Sequence, residues 1–150
     1  MKRVVCLCLL VAMLFSVLPV NGFSVTEEKK VTYFDDGSYL VETISIVHGR
    51  ASDTVSGNKA SVHYDSDGST NWKVVVNGTF TYANGVPICR SSTCSVTIYD
   101  SAWYTVSKSA SKSGASAIAN VAMGQKVLGV TVKEVSKTVT LTCDGNGNLR

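Results

Sequence analysis

Between residues 72 and 82 the chain alternates in character. Trp72, Val74, Val76, Phe80 and Tyr82 share one parity, while Lys73, Asn77, Thr79 and Thr81 share the other. A period of two sends successive side chains to opposite faces of an extended strand, so this stretch buries one face and wets the other. A strand cannot satisfy its own backbone, which commits the chain to a sheet and to a second layer over the apolar face. Similar alternation recurs between turn signals. Residues 31–34 and 39–47 flank Asp35-Asp36-Gly37 as a first hairpin, and residues 60–64 meet the Trp72 strand across Asp65-Ser66-Asp67-Gly68 as a second. Asp and Gly suit such turns because they tolerate left-handed dihedrals, and Asp bonds its own backbone.

Further turns are expected at Ser56-Gly57-Asn58, Ala83-Asn84-Gly85, Ser113-Gly114 and Asp144-Gly145, with strands over 95–99, 103–107, 126–133 and 135–143. Residues 115–123 fit two templates. Ala115, Ile118, Ala119 and Ala122 fall at helical spacing, yet Ala115, Ala117, Ala119, Val121 and Met123 alternate, and strand-like neighbours on both sides favour a strand. With only two prolines, Pro19 and Pro87, little forbids ladder pairing. The fold class is therefore all-β. Two antiparallel sheets packed as an immunoglobulin-like or related β-sandwich are the economical arrangement, and a small β-barrel is the alternative.

Lys2 and Arg3 precede an almost unbroken apolar run over residues 4–20, and Val20 and Gly22 suit signal peptidase. The run is shorter than the roughly 20 apolar residues a membrane span needs. Residues 1–22 thus read as a cleaved export signal, leaving residues 23–150 as one secreted, extracellular domain with no stable membrane insertion. The whole chain carries 14 basic and 11 acidic residues. Two of the basic residues leave with the signal, so the remaining charge is nearly balanced and offers no footprint for nucleic acid. Cys6 and Cys8 leave as well. Cys89, Cys94 and Cys143 remain, an odd number in an oxidising compartment, and the arithmetic suggests one disulfide and one spare thiol. Parity lets either Cys94 or Cys143 face the core. The spacing suits neither a zinc site nor a C-x-x-C redox pair.

Several segments form a recognisable set: Tyr64-Asp65-Ser66-Asp67-Gly68, Trp72-Lys73-Val74 with Gly78-Thr79-Phe80-Thr81-Tyr82, residues 107–114, and Thr138-Val139-Thr140-Leu141-Thr142-Cys143-Asp144. Together they resemble small uncharacterised secreted proteins of Gram-positive, clostridial-type gut bacteria, over roughly residues 31–148. The resemblance brings no activity with it. It implies a Gram-positive exported protein, and a disulfide between Cys89 and Cys143 with Cys94 standing where an aliphatic residue is usual. Cys94 in place of Cys89 is the other pairing.

No motif for a metal, a cofactor or catalysis survives inspection. The run 144–148 begins like a calcium loop, but Leu149 stands at the sixth place, where glycine is required. Asp65 and Asp67 read as turn residues. No serine sits in G-x-S-x-G, and His48 and His63 lack a carboxylate at a suggestive spacing. The sequon at Asn77-Gly78-Thr79 means little in a bacterial exported protein. The aromatics are the remaining candidates. Trp72, Trp103, Tyr33, Tyr39, Tyr64, Tyr82, Tyr99 and Tyr104 would make a sugar-stacking strip wherever several point outward. Tyr99, Trp103 and Tyr104, spanning an expected strand connection, are the predicted ligand-binding cluster. The function these features suggest is a non-enzymatic binding or surface-interaction module for a glycan, a cell-wall polymer or a protein. A small secreted hydrolase, or an inhibitor of one, is the alternative.

Overall fold

The computed structural model describes residues 28–48 and 53–150; the expected export signal at 1–22 lies outside the described residues. Strands β1 (Glu28–Tyr33), β2 (Tyr39–His48), β3 (Thr54–Tyr64), β4 (Thr70–Thr81) and β5 (Ile88–Ile98) form one antiparallel sheet in chain order. Strands β6 (Trp103–Ser113), β7 (Ser116–Val127) and β8 (Val130–Thr142) form a second. The two sheets are not closed into a barrel, so the sandwich holds. Its connectivity is sequential: each sheet is a meander, and among the described residues the one passage between sheets is the link from β5 to β6.

The alternating strand patterns become the core. From β2 come Leu40, Ile44 and Ile46, from β4 Trp72, Val74, Val76 and Phe80, and from β8 Val135, Val139 and Leu141. Facing β4, strand β7 contributes Ala117, Ala119, Val121 and Met123, all buried. The small alanines let the two backbones approach closely, and a Cβ on Gly78 of β4 would stand 2.9 Å from that of Ala117. This settles the ambiguous stretch as strand. Burial of each large side chain contributes about 1.5–3 kcal/mol, and helical spacing at 115–123 would have spread the same apolar residues away from β4.

Two expected features differ. Ser56-Gly57-Asn58 lies inside β3 rather than in a turn. Gly57 is there for space, because a Cβ would lie 2.4 Å from Leu149 Cδ1 and 2.8 Å from the Ser45 carbonyl oxygen. Conversely, residues 126–133 are not one strand: Leu128-Gly129 turns the chain between β7 and β8, with φ of 52° and 82°.

The expected Cys89–Cys143 bridge is not formed, and Cys94 is unpaired too. Cys89 and Cys143 do lie together beside the β6–β7 turn, their amides donating to Gly114 O (2.8 Å) and Ala115 O (3.0 Å). Each thiol instead turns to a backbone carbonyl, Cys89 Sγ to Ser91 O at 3.2 Å and Cys143 Sγ to Asp144 O at 3.3 Å. Burial raises all three thiols above their ordinary pKa; Asp144 and Cys89 add to the effect at Cys143.

Candidate functional site

Antiparallel meanders gather alternate turns at one end. The turns at 34–38, 65–69, 99–102 and 128–129 all lie there, and the aromatic residues crowd the same end. On the inner side, His63 of β3 is 1% exposed. It stacks on Trp72 (centroids 5.0 Å apart, 11° between planes) and tilts against Trp103 at 5.0 Å and Phe34 at 5.9 Å. A β-bulge at this point pairs His63 with Trp72 and Tyr64 with Thr70, leaving Asn71 as the extra residue. Freed from the ladder, Asn71 donates its side-chain amide to His63 Nδ1 at 3.0 Å, which places the imidazole proton on Nε2. The Asn71 carbonyl accepts from both Tyr99 N and Asp100 N, fixing the link between sheets. Burial first, and the Lys133 charge second, lower the His63 pKa to about 4, so the ring is neutral near pH 7.

Lys133 of β8 closes this box. Its ammonium lies 5.9 Å and 6.0 Å from the ring centroids of Phe34 and Trp103, donates to Ser38 Oγ at 3.3 Å and pairs with Asp36. That pairing, reinforced by the Ser38 hydroxyl and amide, holds the Asp36 carboxyl far below the usual carboxylate range. Among the described residues, His63 Nε2, Trp72 Nε1, Trp103 Nε1 and the Ser61 hydroxyl have no hydrogen-bond partner. The histidine base considered for hydrolysis is thus walled in by tryptophan rings, with no carboxylate bonded to it. His48 ends β2 opposite Val55.

The outer face of the five-stranded sheet carries a different surface. Tyr33, Tyr39 and Tyr64 are cross-strand partners in one row over β1, β2 and β3. Tyr39 stacks on Tyr64 (4.9 Å, 13°) and Tyr33 tilts against Tyr39 (5.5 Å, 42°). Tyr33, on the edge strand, is 73% exposed. Below the tyrosines comes an aliphatic row of Val31, Val41 and Val62, and beyond it hydroxyls and amides take over. There Ser56 Oγ donates to Thr79 Oγ1 at 3.1 Å and Asn77 Nδ2 to Thr93 Oγ1 at 3.2 Å, beside a shallow depression of about 200 Å³. Lys73 continues the valine row and Arg90 Nε donates to Thr81 Oγ1 at 2.9 Å, so the face joins hydroxyls, amides and a few cations to an aromatic row, a mix that suits a ligand with C–H faces and hydroxyls.

The predicted ligand-binding trio is split. Trp103 turns inward at 4% exposure, because the first inward position of β6 faces His63 and Trp72. Tyr104 takes the other face of the small sheet, its hydroxyl 2.8 Å from Thr131 Oγ1 and Lys126 Nζ 4.4 Å above its ring. Tyr99 is exposed on the link, and among the described residues no ring contact joins it to either. The row that does form outward, Tyr33, Tyr39 and Tyr64, was legible only as part of the wider aromatic set. The missing signal was register: Tyr33 is the last residue before the first turn and Tyr39 the first after it, which makes them opposite one another.

Among the described residues no group of three or more histidine, cysteine, aspartate or glutamate side chains is placed to hold a metal ion, and no helix is long and apolar enough to cross a membrane. No family model, curated protein or solved structure matches the chain.

Proposed function

We propose that this protein is an exported, non-enzymatic binding module of a Gram-positive bacterium that takes a glycan chain on the outer face of its five-stranded sheet. The observation that carries the reading is the row Tyr33–Tyr39–Tyr64, with the Tyr33 ring exposed at the sheet edge and a hydroxyl and amide surface further down the same face. The stacked Tyr39 and Tyr64 rings hold each other upright and support Tyr33, whose free ring face meets the ligand. Export rests on the basic-then-apolar N-terminus, and the bacterial source on the resemblance of residues 31–148.

The test is a glycan array, together with sedimentation on insoluble wall polysaccharide. Tyr33→Ala should weaken retention about threefold to tenfold, in line with about 0.5–1.5 kcal/mol for one aromatic contact. Tyr99→Ala, also exposed but off the row, should leave it unchanged. Retention that ignores Tyr33, or follows Tyr99 instead, removes the proposed face from consideration.

A further inference from the structure

The unequal sheets leave a second feature. Strand β1 overhangs the sandwich: among the described residues β8 packs on β3 and β4 and reaches Glu42 of β2, whereas no strand of the small sheet makes more than marginal contact with β1. The inward positions of this overhang would normally be apolar. Instead Lys30 of β1 stands opposite Glu42 of β2, and Lys59 of β3 opposite Ile44. Strand β8 sends Lys137, on the same parity as its core residues Val135, Val139 and Leu141, to within 2.6 Å of Glu42 Oε1. Lys59 Nζ lies 3.9 Å from Glu42 Oε2, too far for a hydrogen bond. The result is a cleft of about 170 Å³ lined by Lys30, Glu42, Ile44, Lys59 and Arg150.

Two facts separate this cleft from an ordinary solvated charge cluster. The side chains of Lys59 and Lys137 are only 20% and 19% exposed, whereas lysine normally keeps its ammonium in water. Two ammonium groups also share one carboxylate, and the exposed Lys30 has no ion pair among the described residues. Each ammonium carries three donors, so most of the donor capacity around the cleft is unspent. Glu42 holds Lys137, and Lys30 and Lys59 are left to face a ligand. The volume is below the 300–1,000 Å³ typical of drug-sized pockets, and suits a single charged headgroup with its water.

We propose that this cleft is an oxyanion site that takes a phosphate or carboxylate group, with Lys30 and Lys59 as donors and Lys137 held in place by Glu42. The site is on the inner side of the overhang, opposite the tyrosine face, and does not depend on it.

Calorimetric titration of the full chain with inorganic phosphate, polyglycerol phosphate and polygalacturonate tests the proposal. Lys30→Gln and Lys59→Gln should each weaken binding about fivefold, the size of one partly exposed charge contact. Lys29→Gln makes the same change of charge one residue away on the outer face and should leave affinity unchanged. Glu42→Gln removes the competing carboxylate at nearly constant shape and should tighten binding, with a thermal melt confirming that the variant is folded. Should Glu42→Gln prove unfolded, the contrast between Lys29→Gln and Lys30→Gln decides alone. Preference for one probe supports the site and identifies the source of the anion. Equal losses for Lys29→Gln and Lys30→Gln, or no binding of any probe, overturn it. Loss of glycan retention in Tyr33→Ala leaves this result untouched, so the two readings fail separately.

Discussion

The β7–β8 turn spends a residue against its preference. Leu128 sits at φ 52° with its side chain 100% exposed, followed by Gly129 at φ 82°. Two successive positive φ values make a type I′ hairpin turn, for which Asn-Gly is the favoured pair and a leucine the wrong first residue. A left-handed conformation costs a non-glycine residue about 1–2 kcal/mol, and asparagine recovers much of this through local hydrogen bonding. Because the leucine side chain is fully exposed, replacing it removes no packing. Leu128→Asn should therefore stabilise the protein by about 1 kcal/mol. For a domain of this size that is a rise in Tm of roughly 3–6 °C. Leu128→Gly should gain less, since glycine also adds about 0.4–1 kcal/mol of unfolded-chain entropy. Urea unfolding followed by the fluorescence of buried Trp72 and Trp103 measures the change, and an unaltered slope confirms that the same surface is exposed. If Leu128→Asn were neutral or destabilising while Leu128→Gly gained, the strain argument would fail for asparagine. A loss for both would mean that the leucine is held by contacts of its own.

Further expectations are as direct. The His63 imidazole titrates near 6.5 when unfolded and at about 4 when folded, so the unfolded chain binds the extra proton between those values. Stability is full above pH 6.5 and falls by about 3 kcal/mol as pH drops towards 4; denaturation midpoints at pH 7 and 4.5 read this, and His63→Phe should flatten it. Gly57→Ala should cost about 1–3 kcal/mol, because the new methyl meets the Ser45 backbone oxygen as well as Leu149, and a thermal melt reports it. Alkylation without reductant of the chain starting at residue 23, which lacks Cys6 and Cys8, should label three thiols in denaturant, with Cys89 and Cys143 protected in the native protein. Recovery of only one would mean that a bridge forms after all.

The strands were legible where both faces had distinct chemistry. In β4 the apolar parity from Trp72 to Phe80 coincides with complete burial, because one face meets the small sheet and the other meets water. In β7 the alternation of alanines carried the correct periodicity although alanine itself favours helix. Local pattern failed where the deciding partner was distant in the chain. Gly57 resembles a turn glycine until Leu149 is seen against it, and Leu128 resembles a strand residue because its own turn disfavours it. The candidate site was partly legible for the same reason. That tyrosines were available was plain from the sequence; that Tyr33, Tyr39 and Tyr64 align required the registers of two hairpins. The burial of Trp103 required His63, forty residues earlier. Lys30, Lys59 and Lys137 come from three strands, and no spacing links them.

The sequential strand order makes the short link at 99–102 the only covalent passage between the sheets among the described residues. A single backbone cut there would yield a five-stranded fragment and a three-stranded one, each a complete meander. Neither can hide its apolar face alone: Trp72, Val74, Val76 and Phe80 belong to one, and Met123, Val139 and Leu141 to the other. The two pieces are thus obligate complements, and the intact protein is in effect a heterodimer whose halves are tethered at one corner. Its core is their interface, and the tether serves mainly to raise the effective concentration at which they meet.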